Sequence, residues 1–203
     1  MPLSKQEFQV FLSHSEKDAA LTARICETLD RLHIKTFVYE YYFKDATNKS
    51  ERTQELIKKI PYFLALFTQN GLQSQCVNQE IGFAVGVNKT PISILEIEPS
   101  TRIRLPSRGF VELDDPILHD PSNPNKMMAN LVHTFYGSLN KEKKWSDMIR
   151  LSCKCGEEYD GGLNYANVLN HPGMQRILWS CPKCGNRLEL GLPGFELRFL
   201  KQI

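Results

Sequence analysis

The chain has 203 residues, 41% of them apolar and 24% charged; that is enough to bury a core and excludes a disordered, collagen-like or coiled-coil chain. Lys and Arg number 25 against 23 Asp and Glu, and the net charge of +2 is too small to draw nucleic acid or a membrane surface through the overall field. The start, MPLSKQEF, carries no apolar leader stretch, and the runs YFLALF and IGFAVGV fall far short of the roughly 20 residues of a membrane span, so the expectation is a cytoplasmic chain whose cysteines stay reduced.

FQVFLS (8–13) reads as a short strand of β-forming residues. EKDAALTARICETLDRLH then places Leu21, Ile25, Leu29 and Leu32 at helical spacing. KTFVYE (35–40) predicts a second strand, and YYFKDATNK a polar loop. Ser50 is expected to cap a helix through KSERTQELIKKI, with Leu56, Ile57 and Ile60 on one face. YFLALFT (62–68) is nearly all apolar, as a strand covered on both faces should be. Ser74 can cap a further helix to about Val87, followed by a buried strand in PISILEI (91–97) and a short edge strand in GFVEL (109–113). NKMMANLVHTFYGSLN puts Met128, Leu131, Phe135 and Leu139 on one helical stripe.

Strands alternating with helices over short connections argue a parallel sheet flanked by helices. Ligands bind such sheets outside the carboxyl ends of the strands. The candidate loops are Ser13–Asp18, Glu40–Lys49 and Thr68–Ser74. GxGxxG and Walker A signatures are absent from the sequence, which excludes the usual dinucleotide and P-loop sites.

Ser13, His14 and Ser15 follow the first strand, where hydroxyls and backbone N–H groups suit phosphates; the plainer reading is turn and cap chemistry. His14 has no evident partner for base catalysis. Asp18 would favour the first helical turn. Tyr41, Tyr42 and Phe43 are candidates to stack on adenine or a neighbouring subunit, or simply to pack. In the helix from Ser74, Val77, Ile81, Ala84 and Val85 form an apolar face, and Glu80 sits at its margin, three residues after Val77 and four after Cys76.

Residues 141–145, KEKKW, read as a charged linker or helix tail, within a linker (141–150) ahead of a cysteine-rich tail at 151–203. There CKCG (153–156) and CPKCG (181–185) resemble the two knuckles of a zinc ribbon. Four thiolates from Cys153, Cys155, Cys181 and Cys184 would satisfy tetrahedral zinc in a structural site, with iron or a redox dithiol as alternatives. The first knuckle departs from the C-x2-C spacing. A tail with few large core residues needs such a staple. His171, beside Pro172, reads as a loop residue and not a ligand. Lys141, Lys143, Lys144 and Arg150 are followed by Glu157, Glu158 and Asp160, a solvated surface that leaves nucleic acid a minor partner.

FLSHSEKD, YEYYFKDATNKS and FLALFTQNGLQSQCVNQEIGFAVG, in that order, resemble a TIR domain of the prokaryotic type over about residues 7–140. The resemblance implies an α/β, flavodoxin-like domain (1–140) with a central parallel sheet, and cleavage of NAD. The family's glutamate lies in the helix after the third strand, in a pattern like S-x-W-V-x-x-E. Ser74-Gln75-Cys76-Val77-Asn78-Gln79-Glu80 matches it, with Cys76 where Trp is common. Glu80 is then the catalytic residue, while Ser13, His14, Ser15, Phe43 and Ser74 are expected around the bound NAD. The Pro-Gly of animal signalling loops is missing from 41–49. The resemblance further implies self-association through the loop after the second strand, ADP-ribose or a cyclic isomer as product, and a role in prokaryotic antiphage defence. The zinc ribbon would meet a trigger or protein partner. Two other readings are a non-enzymatic TIR scaffold and a transferase-like relative acting on nucleosides.

Overall fold

In the computed structural model the apolar runs become five parallel strands, joined by helices, and a set of short antiparallel hairpins. The structure describes residues 8–39, 48–97, 116–141, 151–159, 176–191 and 196–200. The expected strand at 109–113, the aromatics Tyr41, Tyr42 and Phe43, His171 and most of the expected linker lie outside the described residues. The chain divides into two compact units, one including Glu7–Cys26 and Ile34–Asn123, the other Glu27–His33 and Pro124–Ile203.

In the first unit, β1 (Phe8–Ser13), β2 (Ile34–Phe37), β3 (Tyr62–Phe67), β4 (Ile92–Glu96) and β5 (Ile117–His119) form one sheet in the order β2-β1-β3-β4-β5. All four pairings are parallel. This is the flavodoxin-like order, whose topological switch point lies between β1 and β3. A 3-10 turn (Glu16–Asp18) leads into helix α1 (Ala19–Arg31). Helix α2 (Lys49–Lys59), the short α3 (Gln69–Gln73) and α4 (Gln75–Gly86) complete the unit.

The core explains the pattern. Five of the six residues of β3 are buried, as both faces of a central parallel strand should be. Phe11 of β1 stacks on Phe63 of β3, with centroids 5.6 Å apart. Ile57 and Ile60 from the α2 segment and Val77, Ile81 and Ala84 from α4 pack into the same cluster. Each large side chain so buried contributes roughly 1.5–3 kcal/mol.

Three expectations need correction. The second strand ends at Phe37, not at 40. Ser50 lies inside α2; the N-cap position belongs to Asn48, whose carbonyl accepts from Arg52 N and whose side chain reaches Glu51. The segment after β3 is not all loop, because Thr68 caps α3 through the Gly71 N–H.

In the second unit, helix α5 (Pro124–Lys141) buries Met127, Met128, Leu131, Val132 and Phe135. Thr28, on the part of α1 that belongs to this unit, bonds Met128 Sδ at 3.7 Å. Strands β6 (Leu151–Ser152) and β7 (Glu158–Tyr159) form one antiparallel hairpin. Strands β8 (Arg176–Ser180), β9 (Arg187–Gly191) and β10 (Glu196–Leu200) form a three-stranded antiparallel sheet.

Candidate functional site

A cavity of about 1010 Å³ opens in the first unit, at the upper end of the ~300–1,000 Å³ typical of small-molecule sites. Leu12, His14 and Ser15 come from the end of β1 and the turn after it, with Glu16 and Lys17 beyond. Tyr39 follows β2. Helix α2 contributes Lys49, Ser50, Thr53, Gln54 and Ile57, and the α4 segment Ser74, Cys76, Gln79, Glu80 and Phe83. The walls therefore stand beside the β1/β3 switch point, where open α/β sheets hold ligands.

Glu80 is half-buried on the wall. The Ser13 hydroxyl donates to its Oε2 at 2.5 Å across 67 residues of sequence, the short distance expected of a hydroxyl on an ionised carboxylate. Lys17 and Lys49 bring cations to the same walls, and Lys49 Nζ lies 5.9 Å from the centre of the Tyr39 ring. Ser15 and Ser74 line the cavity while doing cap chemistry. Ser15 accepts from Lys17 N and Ser74 from Val77 N, each at 3.4 Å. His14 is half-buried on the wall. Phe43 is outside the described residues.

Asp18 does more than favour a helix start. It is buried, and accepts from Thr68 Oγ1 at 2.5 Å and Asn70 Nδ2 at 2.8 Å, joining the turn after β1 to the segment after β3. Thr68 Oγ1 in turn accepts from Gly71 N at 2.8 Å. A Cβ at Gly71 would collide with the Leu66 carbonyl oxygen, so this tight turn requires glycine.

A second cluster lies in the hairpins of the other unit. The sulfurs of Cys153, Cys155, Cys181 and Cys184 all fall within 4.8 Å of one another. Cys153 and Cys184 are 3.5 Å apart, Cys155 and Cys181 3.6 Å. A tetrahedral metal–thiolate sphere with bonds of about 2.3 Å has edges of about 3.8 Å, so the donor set fits a metal ion. The short first knuckle closes by Gly156 N to Cys153 O at 2.9 Å, and the longer second one by Gly185 N to Cys181 O, also 2.9 Å. Gly156 and Gly185 both take positive φ, +85° and +73°, which glycine adopts without strain. One residue fewer in the first knuckle is absorbed by a tighter turn.

The sulfurs also compete for charge. The Cys155 N–H lowers the Cys153 thiol to about 7, helped by hydrogen bonds from the other cysteines. At Cys184 the Asn186 N–H acts downward, but burial and the other three sulfurs push the thiol up to about 12. A cation among the four would relieve that competition and release protons.

A TIR domain family model matches residues 10–123. Among solved structures, the chain is similar to the TIR domain of the Toll-related receptor TRR-2 from Hydra magnipapillata. Identity is 15% over 66% of this chain and 95% of that one, with a TM-score of 0.44. It is also similar to the TIR domains of the activated Roq1 resistosome directly recognizing the pathogen effector XopQ. There identity is 16% over 68% of this chain and 78% of that one, with a TM-score of 0.41. The comparison with curated proteins gives no match.

Proposed function

Since the chain belongs to the TIR-domain family, we propose that it is an NAD+ glycohydrolase with Glu80 as its catalytic residue. The observation that carries this reading is a half-buried carboxylate, gripped by Ser13, on the wall of a cavity that also bears Lys17 and Lys49. Breaking the nicotinamide–ribose bond develops positive charge at the ribose carbon, as in glycoside hydrolysis. Nicotinamide leaves as a neutral molecule from a cationic pyridinium, so the leaving group needs no acid. One carboxylate facing the developing charge and accepting from a ribose hydroxyl supplies the main electrostatic stabilisation. Water adds to the ribose carbon, giving ADP-ribose, nicotinamide and a proton; attack by a group of the same substrate gives a cyclic isomer. The lysines, with His14 and Ser15, face the diphosphate.

The test is incubation with NAD across a series of protein concentrations, with products resolved by mass. Glu80→Gln should reduce cleavage ~10²–10³-fold while circular dichroism stays unchanged. Near-normal turnover by that variant would refute the assignment. A rise in specific activity with concentration would support a site completed by self-association.

In the same reading, Cys153, Cys155, Cys181 and Cys184 hold one zinc ion in a structural role, all four positions being filled by protein. Elemental analysis of freshly purified protein should find about one zinc per chain.

A further inference from the structure

Resting on that reading of Glu80, we propose that Ser13 is a positioning residue that fixes the Glu80 carboxylate, and not a ligand for the substrate's phosphates. Ser13 ends β1, pairs with Ala65 of β3 at the switch point of the sheet and is 1% exposed. Its hydroxyl donates to Glu80 Oε2. A serine hydroxyl carries a single proton, and a phosphate oxygen needs a donor, so the bond to Glu80 takes the proton that a phosphate contact would require.

The arrangement joins two unlike supports. A central strand with buried neighbours is the most rigid element available, whereas a glutamate on a helix has three rotatable bonds and several rotamers. Tying the second to the first selects one orientation before substrate arrives, which is what an electrostatic contact in a transition state requires. A hydroxyl that donates to a carboxylate also favours its ionised form, the form that stabilises positive charge.

On the full chain, Ser13→Ala should lower NAD cleavage roughly tenfold or more, chiefly in kcat. The acid limb of the pH–rate profile should move to higher pH. Ser13→Cys fills the site with a somewhat larger group that donates only weakly, and should behave like Ser13→Ala. Wild-type rate and profile in Ser13→Cys would overturn the proposal, because filling space would then account for the residue. A Ser13→Ala loss confined to KM, with the pH profile unmoved, would overturn it in favour of a substrate contact. The two readings fail separately. If Glu80→Gln retains turnover, or no NAD is cleaved, the catalytic reading fails while Ser13 is still judged by carbon NMR of the Glu80 carboxyl. Its titration should move to higher pH in Ser13→Ala, and an unchanged titration overturns the positioning role.

Discussion

In β3 five of six residues are buried, whereas β8 alternates exposed and half-buried residues and leaves Leu178 58% exposed. The contrast runs through the two regions around them. The central strands of the parallel sheet are buried on both faces, and their aromatic and aliphatic cluster draws on β1, β3, β4, α2 and α4. Among the described residues, the buried cluster around the cysteines is Cys153, Cys181 and Leu188, with Trp179 and Phe199 packed against it. An apolar set of that size is small against the entropy of ordering a hairpin, which is where a metal staple serves. In the proposed reading the hairpins' fold rests on the sulfurs, and its stability is conditional on a cation in a way that the sheet's is not.

The largest expected effect comes from that dependence. Replacing Cys181 and Cys184 by Ser, or chelating the purified protein, should abolish amide-exchange protection in residues 176–191 while β1 and β3 keep theirs. Structural zinc contributes roughly 10–16 kcal/mol in small domains; protection that persists in metal-free protein would erase the contrast. Next in size is Phe63→Ala, which removes a ring stacked at 5.6 Å on Phe11. Urea unfolding followed on the sheet should lose ~3–5 kcal/mol with the metal content unchanged. The smallest effect sharpens the contrast through pH. His119 is buried, and burial pushes its imidazole below the ordinary value against the opposing pull of Glu96, Asp120 and Asp18. The unfolded chain binds a proton near pH ~6.5 that the fold resists. This contribution is therefore present above that pH and is lost as the pH falls. Exchange protection of the sheet should weaken from pH 7.5 to 5.5, and His119→Asn should flatten that dependence.

Much of the α/β unit was legible because burial writes itself into the chain. The apolar run at 62–68 and the stripe through Ile25 and Leu29 could hardly serve other elements. The strand Ile117–His119 was not legible: its three residues, in a four-residue stretch between Pro116 and Pro121, carry no periodicity. The five-residue α3 was hidden for the same reason of length. At the cavity Glu80 stood out through its motif, and behind it Ser13 through its place at the end of a strand. Their bond to each other did not, nor did Asp18 with Thr68 and Asn70, because partners 50 to 67 residues apart meet only through the fold. Likewise Tyr39, Gln54 and Phe83 joined the wall with no sequence mark. The cysteines were the opposite case, their spacing alone bringing four candidate ligands to notice.

The strand order also bears on how the sheet is made. A ribosome releases β1 first, and β1 ends up inside the sheet, between β2 and β3. In the sheet β2 lies on one side of β1 and β3 on the other, with β4 beyond β3 and β5 beyond β4. Each arrival meets an open edge, and none has to wedge between two strands already paired. Parallel pairing is slow because its contacts are distant in sequence, and exposed edges invite aggregation while it proceeds. An order in which chain-sequential strands sit outward from β1 is thus compatible with assembly during synthesis as well as with the finished fold.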